Sequence, residues 1–191
     1  MKKTILKYGF ISGAISAGLM LVLIIPLHDR IGFDKGMVVG YTIFVLSFLM
    51  VFFGVRSYRE NVGGGSITFG KAFTIGILIT LISCACYVIA WEFTYFFFAH
   101  DFLDKYAAYQ VAQLKASGKS PEAIKEGLEQ LKKFKEMYNN PLINAAFTFT
   151  EPFPVGVLIT LLTALILRKK KRDAFATAPL PSNQQSVISN Q

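Results

Sequence analysis

Four long apolar stretches separated by short polar ones dominate the pattern along the chain. The first runs over Tyr8–Leu27 and the second over Met37–Val55, neither with a charged residue. The third runs from Ala72 to Ala99 and is broken only by Glu92. The fourth, from Leu142 to Leu167, is broken only by Glu151 and its prolines. Twenty helical residues rise about 30 Å, the thickness of a bilayer's hydrocarbon core. Lipid offers unpaired backbone groups no partner, and the stretches lack the alternation of a barrel strand, so all four are expected to be helices. The pattern predicts an all-α integral membrane protein with four transmembrane helices, a single domain over residues 1–172. Residues 173–191, rich in Ala, Pro, Ser, Asn and Gln, are expected to form a disordered tail.

Lys2, Lys3 and Lys7 precede the first stretch, as they would in a secretory signal. A signal's apolar region is only about 7–15 residues and ends at a small-residue cleavage site. This stretch is longer and ends at Pro26, so it is expected to remain as a span.

Composition narrows the picture further. The chain is 53% hydrophobic and 17% charged, with a mean hydropathy of +0.45, which excludes an ordinary soluble domain and a disordered chain. Both cysteines, Cys84 and Cys86, lie inside the third stretch and exclude a disulfide scaffold or a structural zinc site. The longest connection, roughly 42 residues, is short for a separate catalytic domain. No cofactor or metal is expected. The net charge of +8 needs no nucleic acid to explain it once its placement is considered. With both termini cytoplasmic, the short inner flanks hold Lys2, Lys3, Lys7, Arg56, Arg59, Lys71 and the run Arg168, Lys169, Lys170, Lys171 and Arg172. The positive-inside rule weights such flanks over a long connection, which favours this orientation in a bacterial cytoplasmic membrane. The Arg168–Arg172 cluster stops transfer and is expected to hold anionic lipid headgroups.

The connection His100–Pro141 reads as an outer helical hairpin between the third and fourth spans. One helix is expected to continue from the third span to Ser117, with a break at Gly118-Lys119. Ser120 then caps a second helix that has Pro121 in its first position. Ile124, Leu128, Leu131, Phe134 and Tyr138 recur at helical spacing and give that helix one apolar face, for its partner helix, the membrane surface or an outside partner.

Glu92 and Glu151 are the candidate proton or cation site. Ionisable groups inside a span are expensive and mark function by default. With the boundary near Ala99 and Leu142, they sit roughly 10 Å and 14 Å deep. No Lys or Arg within a span is there to neutralise them. For Glu92 the alternative is a third span ending at Trp91, with Trp91, Tyr95 and Phe96–Phe98 as an interfacial aromatic belt. Next to Glu151, Pro152 and Pro154 remove two helix hydrogen bonds and predict a kink or break. Freed carbonyls beside a carboxylate would suit an ion site, while Thr148 and Thr150 would satisfy them in a plain kink. His28 and His100 are lone residues at span ends.

Small residues recur four apart at Gly9, Gly13 and Ala17, at Gly36 and Gly40, and at Ala72, Gly76 and Thr80, a pattern that lets membrane helices approach closely. Gly65–Lys71 fits the first seven positions of a phosphate-binding loop. Ala72 stands where the magnesium-binding hydroxyl belongs, however, and no strand precedes it, so a flexible turn explains it.

Several of these segments together resemble an uncharacterised bacterial membrane family, the domain-of-unknown-function 4199 family. They are Tyr8-Gly9 with Gly13, Gly54-Val55-Arg56-Ser57-Tyr58-Arg59, Gly64–Ala72, and Glu151–Gly156 followed by Leu165-Ile166-Leu167-Arg168. The resemblance spans roughly Lys3 to Arg172. It implies the fold and brings no activity, catalytic residue or binding residue.

The function expected from these features is non-enzymatic: a membrane scaffold or accessory subunit, working with lipids and with a second copy or another membrane protein. The alternative is an oligomeric proton- or cation-coupled transporter or channel that uses Glu92 and Glu151.

Overall fold

A computed structural model describes residues 1–99 and 101–169, and for residues 23–31 and 34 the backbone alone. All its regular elements are helical apart from one isolated bridge. Helix α1 (Lys2–Leu19) passes through a π-helical turn (Met20–Ile24) into α2 (Ile25–Asn61). Gly32, at φ 69° and ψ 165°, interrupts helical geometry within α2 in a region that only glycine enters cheaply. Then follow α3 (Phe69–Phe97), α4 (Phe102–Ala116), α5 (Pro121–Tyr138), α6 (Pro141–Thr150) and α7 (Pro152–Leu167). Four segments are long and apolar enough to cross a membrane: Lys2–Val22, Lys35–Asn61, Phe69–Phe97 and Pro141–Leu167. Helical structure thus extends past the apolar stretches into basic flanks such as Lys2–Lys7 and Arg56–Asn61.

Helix α3 packs on α1, α2 and α7, and glycine lets it do so closely. A Cβ at Gly9 would stand 2.9 Å from Ile82 Cβ, and one at Gly13 would stand 2.5 Å from Cys86 Cβ. A Cβ at Gly76 would meet Thr160 at 2.8 Å, and one at Gly156 would overlap the Thr80 side chain. Small hydroxyls knit the same seams. Ser12 Oγ donates to the Ser47 carbonyl at 2.8 Å and lies 2.9 Å from Ser83 Oγ, and Thr80 and Thr160 pair at 3.1 Å. Such pairs hold helices together where burial from water supplies no drive.

The bundle end near Arg59 is tied by backbone. Ile67 and Lys169 exchange two hydrogen bonds of 3.0 and 2.9 Å, and Arg59 Nη1 donates to the Leu167 carbonyl at 3.4 Å. Gly64 and Gly65 take positive φ just before, and Thr68 caps α3 by accepting from the Lys71 amide. The loop-like string at Gly65–Lys71 is therefore a turn and a helix cap. Lys170, Lys171 and Arg172 of the basic cluster, the 173–191 tail and His100 lie outside the described residues, as does the His28 side chain.

At the other end α3 stops at Phe97, and α4 starts anew at Phe102. The continuous helix expected through this point is not formed, because the Phe98 backbone turns to φ −127° and ψ −25°. Gly118 takes φ +66°, and Ser120 caps α5 by accepting from the Ala123 amide at 3.3 Å. A Cβ on Gly127 would lie 2.6 Å from Leu114, so the apolar face of α5 packs on α4. An exposed ion pair between Lys135 and Asp104 joins the same two helices.

Candidate functional site

The fourth apolar stretch is two helices that meet at Glu151. Pro152 has no N–H to return to the Thr148 carbonyl, and Pro154 has none for Thr150, so α6 ends and α7 begins there. The threonine hydroxyls bond elsewhere than to these freed carbonyls: Thr150 Oγ1 donates to the Phe147 carbonyl at 2.6 Å, and Thr148 Oγ1 donates to Asn144 Oδ1 at 3.1 Å. Glu151 occupies the N-cap position of α7 without capping it. A capping side chain accepts from the second or third residue of the helix, and the third here is Pro154, which has no donor. The carboxylate is thereby left to other partners.

It lines a half-open cavity of about 440 Å³ between α2, α3, α4, α5 and the α6–α7 junction. The wall on α2 is a stripe of glycine, Gly32, Gly36 and Gly40, with Phe33, Tyr41 and Phe44 beside it. A Cβ on any of these three glycines would meet open space. Tyr87 and Trp91 of α3 form the second wall, so Tyr87 and Glu151 line the same space. Helices α4 and α5 close the space with Phe102, Tyr106, Tyr109, Phe134 and Tyr138. Their rings form a continuous network. Phe33 and Tyr109 lie 5.1 Å apart, Trp91 and Phe102 5.0 Å, and Phe134 and Tyr138 5.3 Å, in tilted or edge-on geometries that aromatic rings favour.

Hydrogen bonds fix the rings. Trp91 Nε1 donates to Tyr138 Oη at 3.0 Å, Gln110 Nε2 to Tyr106 Oη at 2.8 Å, and Gln113 Nε2 to Tyr109 Oη at 3.2 Å. Burial pushes the Tyr138 phenol up to about 12, so it stays neutral and keeps accepting from Trp91 at any physiological pH. Among the described residues no lysine or arginine lines the cavity, and no three His, Cys, Asp or Glu side chains group as metal ligands would.

The two acidic candidates part company here. Glu151 faces the cavity, whereas Glu92 is absent from its lining. Glu92 follows Trp91 by one residue, about 100° around the helix, and so turns away from the face that Trp91 and Tyr95 bury. Its Oε1 atom is buried without a partner, as is Nδ2 of Asn144 on the adjoining α6. The aromatic residues at the end of α3 divide as well. Phe93, Phe97 and Phe98 are exposed, but Trp91 and Tyr95 turn inward, Tyr95 donating to Asn139 Oδ1 at 3.1 Å. Reading the sequence by spacing assigned Gly36 and Gly40 to helix contact and missed the cavity they line. The available signal was the density of aromatics on α4 and α5 beside a span broken at a carboxylate.

A family model described as "Protein of unknown function (DUF4199)" matches residues 7–169. The chain belongs to the DUF4199 family. No curated protein and no solved structure matches it. The DUF4199 match runs from just before Gly9 to Lys169, so it takes in the close α1–α3 seam, the cavity and the Ile67–Lys169 bridge alike.

Proposed function

We propose that this DUF4199 protein is a non-enzymatic, carrier-type ligand-binding protein of the bacterial cytoplasmic membrane, both termini cytoplasmic, with Glu151 as the polar anchor of its site. The observation that carries this reading is the cavity of about 440 Å³, kept open by glycine at three successive turns of α2. Its size is in the range of small-molecule pockets, and a mostly apolar lining with few converging polar groups is their usual composition. A scaffold acting through helix contacts alone has no use for such a space, since unfilled volume forfeits packing. The site rests on Glu151 by itself rather than on a carboxylate pair, because Glu92 lies outside the lining.

Trp91 is the only tryptophan in the chain and stands in the cavity wall, so its fluorescence reports occupancy. A neutral, water-soluble probe such as benzyl methyl sulfone is expected to shift that fluorescence saturably in the wild type. Gly36→Leu, which fills the open space, is expected to abolish the response while melting as the wild type does. Equal responses in the two proteins would sink the reading.

A further inference from the structure

We infer that the ligand of this cavity is a small organic cation, an ammonium group carrying an apolar body. The inference rests on the ligand-binding reading above and adds the chemical class. Three observations combine. Aromatic rings from α2, α3, α4 and α5 surround the space, and the faces of such rings attract ammonium groups. Glu151, the one carboxylate among the described lining residues, brings its negative charge to it, unspent on helix capping. The described lining holds no lysine or arginine to neutralise that charge.

Other ligand classes fit less well. A bare divalent metal ion draws on several charged oxygen ligands, and the described lining offers one carboxylate. An anion would be repelled by Glu151. A neutral apolar molecule would fill the volume but give the Glu151 carboxylate, which is exposed to that space, no ionic partner. An ammonium cation with an apolar body meets every demand at once: the charge pairs with Glu151, the rings take the cation's edge, and the body fills the glycine-lined wall.

The test uses the full chain in dodecyl maltoside, whose headgroup is uncharged, and three probes of similar shape: benzyltrimethylammonium, neutral benzyl methyl sulfone and anionic phenylmethanesulfonate. Trp91 fluorescence and thermal melting follow the binding of each. Benzyltrimethylammonium is expected to bind roughly tenfold more tightly than the sulfone, and the sulfonate more weakly than either. Glu151→Gln is expected to erase the preference for the cation while sulfone binding persists, and Glu151→Asp to retain it. If the sulfone binds the wild type as tightly as the cation does, the cation assignment is overturned and the ligand-binding reading stands. If none of the three perturbs Trp91 or the melting temperature, both are overturned. Should Glu151→Gln fail to fold, the charge series on the wild type still decides.

Discussion

Gly9 and Gly13 on α1 and Gly36 and Gly40 on α2 have the same four-residue spacing, yet the bundle uses them in opposite ways. On α1 a side chain in place of either hydrogen would drive into Ile82 or Cys86 of α3. On α2 it would enter open space lined by aromatic rings and Glu151. The difference teaches that small-residue spacing in a membrane helix specifies a shallow surface, while whatever stands opposite decides its use. Where another helix stands opposite, the surface becomes a seam. Where α4 and α5 arch over from the neighbouring connection, it becomes the wall of a cavity.

The comparison is most severely broken by putting bulk into the seams. Gly156→Val and Gly13→Val place carbons where Thr80 and Cys86 already stand, and each is expected to cost about 1–3 kcal/mol or more, enough to lower yield and melting temperature sharply. Gly36→Leu, by contrast, is expected to change stability by no more than roughly 0.5 kcal/mol, while ligand-dependent Trp91 fluorescence disappears. Melting curves on the two kinds of variant, side by side, test the distinction; equal losses of stability would erase it.

Hydrogen bonds come next. Tyr138→Phe removes the acceptor of the Trp91 indole N–H in the cavity wall and leaves a buried donor unpaired, at an expected cost of about 1–3 kcal/mol. Thr80→Val removes the pairing with Thr160 in the α3–α7 seam, at roughly 0.6–1.7 kcal/mol. Chemical denaturation in mixed micelles would rank them, and a Thr80→Val loss exceeding that of Tyr138→Phe would show that the seam depends more on its polar pairs than the cavity wall does. Glu92→Gln sharpens the other contrast. It is expected to leave cation preference at Trp91 unchanged, because Glu92 lies outside the cavity lining. The smallest effect belongs to Lys135→Ala, which breaks the exposed pair with Asp104 and is expected to cost roughly 0–1 kcal/mol, falling with added salt.

Much of the fold was legible in one dimension because lipid enforces it. A run of about 20 apolar residues has few alternatives to a helical span, so the four stretches reappear as four helical segments long enough to cross a membrane, the fourth of them broken at Glu151. Local chemistry was legible for the same kind of reason. Ser120 before Pro121 starts α5, Gly118 makes the turn ahead of it, and the proline pair splits the fourth stretch at Glu151. The end of α3 was not legible. Nothing in the sequence between Phe97 and Phe102 is a strong helix breaker, and the chain turns there as α4 packs its Phe102 ring against Trp91.

What the sequence by itself determined, then, is the number and chemistry of the four spans and the positions of the two carboxylates among them. Each of these follows from interactions within a few residues or with the lipid. Only the tertiary structure decided that Glu151 faces a cavity and Glu92 does not, that Trp91 and Tyr95 turn inward while Phe93, Phe97 and Phe98 stay exposed, and that one glycine pair closes a seam while the other leaves a space. A helix sets the angle between its side chains, but the neighbours it meets set what each angle faces, and those neighbours come from other helices: Tyr138 of α5 for Trp91, Ile82 of α3 for Gly9.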